Sequence, residues 1–329
     1  MMLFRPNAIL PFIYPKNTGV SRQVLTCAAR GVGGSGLTVQ QAVMKWQEDF
    51  QVSGVAEPEL SSQYIVAHVL GLKTLDSLGR RSLVQILSDR QTQRIWELCT
   101  QRITRKPVQY VIEEWDFRDL TLKMRPPVFI PRPETEELVR LVLDDLQKQG
   151  VGDGLRFLEV GCGSGAISLS LLHSMPQLRG VALDQSQEAV DLTKENAHRL
   201  GLSDRLEVLH LDLIKDEDLV LRRCAPVQLL VSNPPYLFTE DMNALAPEVY
   251  RFEDHAALDG GQEGMCVIDQ ILTLASELLS EQGHVYLEVE PRHPPIIRNR
   301  LQQRIMGLEY VVTHYDISNR PRFCVLQRR

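Results

Sequence analysis

From residue 156 onward, short apolar runs alternate with stretches in which apolar residues recur at helical spacing. The strand-like runs cover residues 157–160, 179–184, 206–213 and 227–231. Runs of this length are typical of buried strands, and strands that alternate with helices form a doubly wound, parallel α/β sheet. Because such a sheet binds ligands at the carboxyl ends of its strands, the polar residues that follow these runs are the first candidates for a functional site.

The N-terminal part of the chain has a helical pattern instead. Apolar positions recur at helical spacing over residues 38–52, 61–70 and 89–104, and Ser88 is a suitable N-cap for the last helix. Residues 109–125 alternate in the manner of a hairpin, with Arg118 and Asp119 at its turn. We therefore predict a small helical domain over residues 37–108, a linking hairpin over 109–125 and an α/β domain over 126–329.

The first 36 residues differ from the rest in charge. They contain Arg5, Lys16, Arg22 and Arg30, and the first acidic residue of the chain is Glu48. A basic N-terminus without acids is typical of a mitochondrial transit peptide, and a disordered basic tail is the alternative. Removal of these four charges would make the formal net charge of −6 more negative, and an acidic body disfavours stable binding to nucleic acid.

Composition excludes several other classes of protein. At 43% hydrophobic and 24% charged residues the chain has the composition of a globular protein, and its sequence contains no apolar run of 18 residues that could cross a membrane. The six cysteines are scattered without a C-x-x-C pair, and the histidines are equally dispersed. The sequence therefore predicts neither a metal site nor a disulfide framework.

A glycine-rich turn follows the first strand of the predicted sheet. Glycines at alternate positions remove the Cβ atoms that would keep a ligand away from the backbone, and the helix that follows presents free N–H groups. The same string also fits a dinucleotide-binding fingerprint, so by itself it indicates only a nucleotide-type ligand. The predicted cofactor-binding residues of this turn are Glu159, Gly161, Cys162, Gly163, Ser164 and Gly165.

Acidic residues end the next two strand patterns. Asp184 follows the glycine turn by about 20 residues, where a carboxylate could accept hydrogen bonds from both ribose hydroxyls, and a helix N-cap is the alternative. Asp212 could accept a hydrogen bond from an adenine amino group while Leu213 packs on the ring, and a solvated loop acid is the alternative.

The fourth strand pattern ends in Asn233-Pro234-Pro235-Tyr236. The Asn side-chain oxygen and a proline carbonyl are two acceptors, which match the two donors of an NH2 group. The prolines stiffen the backbone, and Tyr236 offers a flat face for stacking. The segment therefore indicates binding of a planar amide or nucleobase nitrogen, with an ordinary Asn-Pro turn as the alternative.

With three further strings, these motifs resemble the S-adenosylmethionine-dependent methyltransferases, and more narrowly the HemK/PrmC-type release factor glutamine methyltransferases. The resemblance covers residues 106–329, and its further strings are residues 129–137, 251–261 and 319–323. The late strand departs from bacterial members, which usually read Glu-x-Gly or Glu-His-Gly where this chain has Leu287-Glu288-Val289-Glu290. This variant is similar to the animal mitochondrial branch, and it leaves the roles of Glu288 and Glu290 open.

The resemblance implies a class I methyltransferase fold, with a doubly wound, mostly parallel seven-stranded sheet, and S-adenosyl-L-methionine as cofactor. It implies methylation of the glutamine in the Gly-Gly-Gln motif of mitochondrial class I release factors, which the helical domain would help to hold. Asn233, Pro234 and Tyr236 are the predicted catalytic residues, Pro235 and Arg132 are further substrate-binding residues, and Asn233 also contacts the cofactor. We expect a monomer in the mitochondrial matrix.

Three alternatives stay open at the level of sequence. The Asn-Pro-Pro-Tyr motif also serves amino-methyltransferases that act on adenine or cytosine in nucleic acid. The glycine turn is compatible with a nicotinamide-dependent dehydrogenase. A module without catalytic activity that escorts release factors is the third alternative.

Overall fold

The computed structural model describes residues 36–150 and 154–329, so the predicted leader lies outside the described residues except for Gly36. The described chain divides into two units. One comprises residues 36–113 and Ala246–Phe252, and the other comprises Glu114–Leu245 and Glu253–Arg329. In chain order the helices are α1 (Val39–Val52), α2 (Pro58–Val69), α3 (Arg80–Leu83), α4 (Asp89–Ile103), α5 (Val108–Ile112), α6 (Pro133–Gln149), α7 (Ala166–Ser174), α8 (Gln187–Arg199), α9 (Glu217–Cys224), α10 (Pro247–Phe252), α11 (Cys266–Leu278) and α12 (His293–Gln303).

The first unit contains α1 to α5 together with α10. Thr38 and Ser88 cap α1 and α4, since each side chain accepts the backbone N–H of the glutamine three residues later and that glutamine bonds back. The N-cap predicted at Ser88 is thus confirmed. Phe50, Ile65 and Ile95 are buried in this unit, so the helical spacing of its apolar residues reflects core packing.

A two-stranded hairpin begins the second unit. Strands β1 (Glu114–Phe117) and β2 (Leu120–Lys123) pair antiparallel, with Arg118 and Asp119 at the turn as the sequence predicts. The start of the predicted hairpin is wrong, because residues 109–112 belong to α5. Val108 and Ile112 are both buried and lie one helical turn apart. The apolar residues that suggest a strand in the sequence therefore pack as one face of a helix.

Within the described residues of the second unit, seven strands form one sheet in the order β5-β4-β3-β6-β7-β9-β8. Its strands are β3 (Arg156–Val160), β4 (Arg179–Asp184), β5 (Leu206–His210), β6 (Val227–Ser232), β7 (Leu279–Glu288), β8 (Leu308–Tyr315) and β9 (Pro321–Arg328). Strands β3 to β7 are parallel, whereas β9 is antiparallel to both β7 and β8. The predicted doubly wound, mostly parallel sheet is confirmed, and its order reverses between β3 and β6.

The register of β3 and β6 brings two predicted motifs together. Val160 is aligned with Ser232, whose hydroxyl donates a hydrogen bond of 2.7 Å to the Val160 carbonyl. The glycine turn and the Asn-Pro-Pro-Tyr segment begin one residue beyond this pair, so they leave the same sheet edge as neighbours. A buried apolar cluster, which includes Leu158, Leu230 and Ile271, holds both strands against α11. Among the described helices, none is long and apolar enough to cross a membrane.

Candidate active site

A cavity opens at the carboxyl edge of β3, β4 and β6 in the second unit. Its lining includes most of the residues predicted for the site: Glu159, Gly161, Cys162, Gly163, Ser164, Asp184, Asp212, Leu213, Asn233 and Pro235. Gly165, Pro234, Tyr236 and Arg132 lie outside this lining. Separate parts of the chain thus meet at one cavity, as expected for the switch point of a doubly wound sheet.

The three glycines of the turn have two different roles. Gly161 and Gly163 have φ values of +76° and +54°, and a Cβ atom added at either would meet nothing within 4 Å. These two residues therefore expose the backbone to the cavity. At Gly165 an added Cβ would lie 2.9 Å from the Leu169 side chain and 3.1 Å from Thr193, so its small size serves the packing of α7 on α8.

Helix α8 holds the glycine turn in place. The Thr193 hydroxyl donates to the Gly163 carbonyl at 3.0 Å, and the Asn196 amide donates to the Ser164 carbonyl at 3.0 Å. Cys162 is buried, and burial with the nearby Asp184 and Glu159 carboxylates raises the pKa of its thiol well above the usual value. The thiol therefore stays protonated, which suits a small packing residue rather than a nucleophile.

Asp184 links the turn to the end of β4. One carboxylate oxygen accepts the Gly163 N–H at 2.9 Å, and the other accepts the Ser186 N–H at 2.9 Å. The N-cap of α8 is Ser186, which excludes that alternative role for Asp184. Each oxygen keeps a lone pair for a further donor, and the cavity lies beside them.

Asp212 is held at the end of β5 by its own loop. One oxygen accepts the N–H groups of Ile214 and Lys215, and the other pairs with the Lys215 ammonium at 2.7 Å. Leu213 beside it is buried and lines the cavity. An acceptor next to an apolar wall can receive a planar ring that carries an amino group.

Glu159 is the most deeply buried acid of the cavity lining. It accepts hydrogen bonds from the backbone N–H of Ser168, at 3.0 Å, and from the Ser168 hydroxyl. Burial nevertheless raises the pKa of Glu159 to about 8. Other carboxylates of the lining are Asp184, Asp212 and Asp254, whereas no Lys or Arg is present among the described lining residues. This charge pattern suits a cationic ligand with hydroxyl groups and disfavours a dinucleotide diphosphate.

The amide of Asn233 is oriented by two residues that were not predicted for the site. Its nitrogen donates to the Thr135 hydroxyl at 3.1 Å, and that hydroxyl donates to the Glu288 carboxylate at 2.8 Å. The second Glu288 oxygen accepts the Tyr236 hydroxyl at 3.3 Å. The sequence analysis did not single out Thr135, although it lies within the string 129–137, because its role depends on Glu288 of β7, far away in sequence.

Arg132 joins two of the motif strings. Its guanidinium pairs with Glu253 at 2.7 Å and lies 4.7 Å from the centre of the Phe129 ring. The other Glu253 oxygen accepts the Ile130 N–H at 3.2 Å. This pair connects the segment that precedes α6 to the segment beside Asp254, which lines the cavity. Contact of Arg132 with substrate stays a prediction.

The glycine-rich segment 259–264 packs on the backbone that follows Asn233. The Leu237 carbonyl accepts the Gly260 N–H of this segment, and the Leu237 N–H donates to the carbonyl of Leu258, the residue just before the segment. A Cβ atom on Gly260 would lie 2.6 Å from the Pro235 carbonyl oxygen, and one on Gly264 would lie 2.4 Å from that of Tyr236. These glycines therefore allow close support of the tetrapeptide.

Comparisons with known proteins agree with this geometry. The PrmC N-terminal domain family matches residues 41–112, and the methyltransferase small domain family matches residues 119–250. The chain is 48% identical to the human MTRF1L release factor glutamine methyltransferase over 88% of its own length and 87% of that protein. It is 33% identical to a release factor glutamine methyltransferase of Deinococcus radiodurans, over 84% of this chain and 93% of that one.

Among solved structures, TrmN from Thermus thermophilus matches at 17% identity and a TM-score of 0.42, over 80% of this chain and 77% of that chain. The predicted S-adenosylmethionine-dependent methyltransferase class and its cofactor are confirmed by the family match, and the dehydrogenase alternative is excluded. On its sequence, its fold and the residues that meet at its cavity, the chain belongs to the release factor glutamine methyltransferase family.

Proposed function

We propose that this enzyme methylates the side-chain nitrogen of the glutamine in the Gly-Gly-Gln motif of mitochondrial class I release factors. The observation that carries the proposal is that the Asn233 carboxamide and the open glycine turn line the same cavity. The names of the relatives, which specify glutamine methylation of release factors, support the choice of acceptor.

The chemical problem is the weakness of the nucleophile. A glutamine nitrogen shares its lone pair with its own carbonyl, so orientation must provide much of the rate. We propose that Asn233 Oδ1 and the Pro234 carbonyl each accept one N–H of the glutamine, which turns the lone pair toward the methyl donor. Such fixation lowers a barrier by roughly 7–11 kcal/mol in the best intramolecular cases. The direction of the Asn233 amide supports this arrangement, because its nitrogen is occupied by Thr135.

The same two acceptors stabilise charge. Positive charge grows on the glutamine nitrogen as the new bond forms, and two carbonyl dipoles interact with that charge more strongly than with the neutral amide. The methylated amide cation is a strong acid, so it can release its proton to solvent without a dedicated base. The imidazole of His293, which lies beside Gly264, does not take this role in our proposal, because both of its ring nitrogens have partners. Its Nδ1 accepts the Glu290 N–H, and its Nε2 donates to the Glu263 carbonyl.

The residues of the cavity fit the cofactor. When bound, S-adenosyl-L-methionine supplies a methyl group that is activated by the sulfonium charge. Asp184 offers acceptors for hydroxyl groups, and Asp212 with Leu213 offers an acceptor beside an apolar wall. The open backbone at Gly161 and Gly163 leaves room for close approach. Glu159 provides a buried carboxylate for a cationic group.

The acceptor is identified by peptide mapping. The chain is incubated with isotope-labelled S-adenosylmethionine and purified mitochondrial release factors, and the label is located by mass spectrometry. We expect one methyl group on the Gly-Gly-Gln glutamine. Label on another peptide would overturn the assignment of the glutamine, and label on DNA or RNA alone would favour the nucleic-acid alternative.

Replacement of Asn233 by Ala distinguishes an enzyme from a module that only binds release factors. We expect kcat to fall about 100-fold or more, since an acceptor that acts in the transition state is lost. Release-factor binding, measured by calorimetry, should persist, and circular dichroism should show a folded protein. Asn299→Ala, at an exposed position of α12, is the matched control. Unchanged turnover in Asn233→Ala would contradict the proposed role of the tetrapeptide.

We further propose that residues 1–36 direct the protein to the mitochondrial matrix, that residues 37–108 help to hold the release factor, and that the enzyme acts as a monomer. The basic, acid-free composition of the first 36 residues supports import. Fusion of these residues to a fluorescent protein tests the leader. Cytosolic fluorescence of the fusion would contradict import.

A further inference from the structure

We propose that Glu288 is a positioning residue that fixes, through Thr135, which end of the Asn233 carboxamide faces the cavity. This inference rests on the proposed role of Asn233 as an acceptor for the glutamine amide. It assigns a role to Glu288, which the sequence leaves open, and to a threonine of the cavity lining.

The argument begins with the single proton of the Thr135 hydroxyl. That proton is donated to Glu288 at 2.8 Å, so toward Asn233 the Thr135 oxygen can act only as an acceptor. The group of Asn233 that lies 3.1 Å from Thr135 must then be its NH2. The Asn233 oxygen consequently points away from Thr135, and an acceptor rather than a donor is presented to a bound amide.

Both oxygens of Glu288 are used as acceptors. Thr135 donates to one, and the Tyr236 hydroxyl donates to the other at 3.3 Å. Burial raises the pKa of the Tyr236 phenol above its usual value, so Tyr236 stays a proton donor. Because Tyr236 belongs to the tetrapeptide, Glu288 is bonded to the tetrapeptide both directly and through Thr135.

Glu288 can accept both hydroxyl protons when it is ionised, since a carboxylate accepts hydrogen bonds and never donates them. Glu288 is 1% exposed, and the charged groups around it oppose each other, with Arg322 favouring the carboxylate and Glu134 disfavouring it. Burial outweighs the hydrogen bonds and raises the pKa of Glu288 to about 7. A protonated Glu288 can donate to Thr135, which then donates to Asn233 and reverses its amide. The reversed amide presents NH2 to the N–H of the substrate, which it repels.

The kinetic test uses substitutions along this chain of hydrogen bonds. We expect Thr135→Val to lower kcat about 10- to 100-fold, with little change in cofactor affinity, because the fold and the cofactor contacts persist while the amide loses its fixed orientation. Thr135→Ser keeps the hydroxyl and should recover most of kcat. Thr273→Val, an exposed threonine of α11 whose hydroxyl bonds only within its own helix, is the control. Equal kcat values for Thr135→Val and wild type would overturn the inference.

The pH profile separates positioning from a merely structural role. In wild type, kcat should rise with pH through an apparent pKa of about 7, as Glu288 ionises. Glu288→Gln should lower kcat and remove this titration, because its amide is never ionised. If the Glu288→Gln variant keeps the wild-type profile, Glu288 does not govern the amide.

A spectroscopic measurement is independent of methyl transfer. The side-chain amide resonances of Asn233 are assigned in 15N-asparagine-labelled protein by their loss in Asn233→Ala. They should titrate with a midpoint near pH 7 in wild type and stay flat in Glu288→Gln and Thr135→Val. If the Asn233 amide resonances of the wild-type protein do not change with pH, the positioning role of Glu288 is overturned, even if the enzyme is active. Wild-type titration without methylation of release factors would instead contradict the proposed function alone.

Discussion

At the scale of single residues, burial at the cavity changes the acid chemistry of two glutamates. Glu159 and Glu288 are each almost fully buried, and burial raises their pKa values to about 8 and about 7. In the unliganded protein both therefore titrate near neutral pH, where ordinary carboxyl groups are fully ionised. The two groups have different surroundings, since Glu159 lines the cavity and Glu288 accepts a hydrogen bond from Tyr236 of the tetrapeptide.

Cofactor binding should be linked to proton release from Glu159. A cationic ligand favours the carboxylate, so we expect the affinity for S-adenosylmethionine to rise as pH rises toward about 8 and then to level off. Calorimetry at neutral pH, in buffers of different ionisation enthalpy, should show release of up to about one proton per site. Glu159→Gln should abolish this release, whereas Glu277→Gln, at an exposed position of α11, should keep it. Equal proton release in Glu159→Gln and wild type would assign it to another group.

The contribution of Glu159 to the stability of the fold depends on pH with a sign opposite to that of an ordinary, ion-paired carboxylate. Because the pKa of Glu159 is higher in the folded than in the unfolded chain, the folded state binds more protons at intermediate pH. Its contribution to the stability of the unliganded protein is therefore fully present at acidic pH and falls as pH rises toward about 8. Bound cofactor should offset this loss.

At the scale of elements, strand ends and loops position the site together. Strands β3 and β6 place the glycine turn beside the tetrapeptide. Helix α8 holds the turn through hydrogen bonds from two of its side chains to carbonyl groups of the turn. The segment 259–264 packs against the tetrapeptide at Gly260 and Gly264, and it forms main-chain hydrogen bonds with Leu237 and Thr239, which follow the tetrapeptide. The glycines of that segment serve packing, since Gly260 and Gly264 lie against carbonyl groups of Pro235 and Tyr236.

Gly264→Ala tests the support of the tetrapeptide by this segment. The new Cβ would lie 2.4 Å from the Tyr236 carbonyl oxygen and 2.7 Å from His293, so the segment must shift and move the acceptors. We expect kcat to fall about 100-fold, since small displacements at a reacting centre have effects of this size. Gly201→Ala is the control, because Gly201 has a similar φ of +69° with nothing near its Cβ. Backbone strain at positive φ should cost each variant about 1 kcal/mol of stability, and Gly264→Ala should lose more because of its contact with the Tyr236 carbonyl. If kcat in Gly264→Ala equals that in the control, the contact is not needed for catalysis.

At the scale of the whole molecule, the chain forms two units, and each of them is made of segments that are not continuous in sequence. The segment Ala246–Phe252 comes after the tetrapeptide in sequence but belongs to the helical unit. Within that unit Glu248 is buried and pairs with Arg105 at 2.7 Å and with Arg102 at 3.4 Å. Arg102 also donates to the Ala56 carbonyl at 3.0 Å, so this ion pair connects α10 to α4 and to the loop before α2.

Glu248→Gln should destabilise the helical unit. Loss of the carboxylate leaves two partly or fully buried guanidinium groups without their partner, which costs about 3 kcal/mol. Hydrogen exchange of peptides from α2 and α4 should accelerate accordingly. Asp49→Asn breaks the exposed Lys45–Asp49 pair of α1 and should cost less than about 0.5 kcal/mol. Unchanged exchange in Glu248→Gln would mean that the pair adds nothing to stability.

The pH dependence of this ion pair has the ordinary sign. Burial by itself would raise the pKa of Glu248, but the hydrogen bond and charge of Arg105, with the charge of Arg102, outweigh it and lower the pKa. Its contribution is therefore present above the pKa of an unfolded glutamate and is lost as pH falls through the lowered value. The stability difference between wild type and Glu248→Gln should accordingly shrink in acid.

Most of the fold was predictable because its signals are local. Alternating strand and helix patterns, the glycine turn and the caps depend on neighbouring residues, so β3, β4, β6 and the N-cap at Ser88 follow from the sequence. Where short apolar runs fit either structure, prediction failed. Residues 109–112 read as a strand and form a helix, because their burial depends on partners from elsewhere in the unit.

The sequence by itself determined the family, the cofactor and the motif residues, since these depend on strings of residue types whose chemistry is local. Only the tertiary structure decided how those residues are held. Thr135 and Glu288 are 153 positions apart and meet through the sheet, which no short motif records. The glycines of segment 259–264 likewise owe their small size to carbonyl groups of another segment. Burial, which raises the pKa of Glu159 and Glu288, exists only once the chain has folded around them.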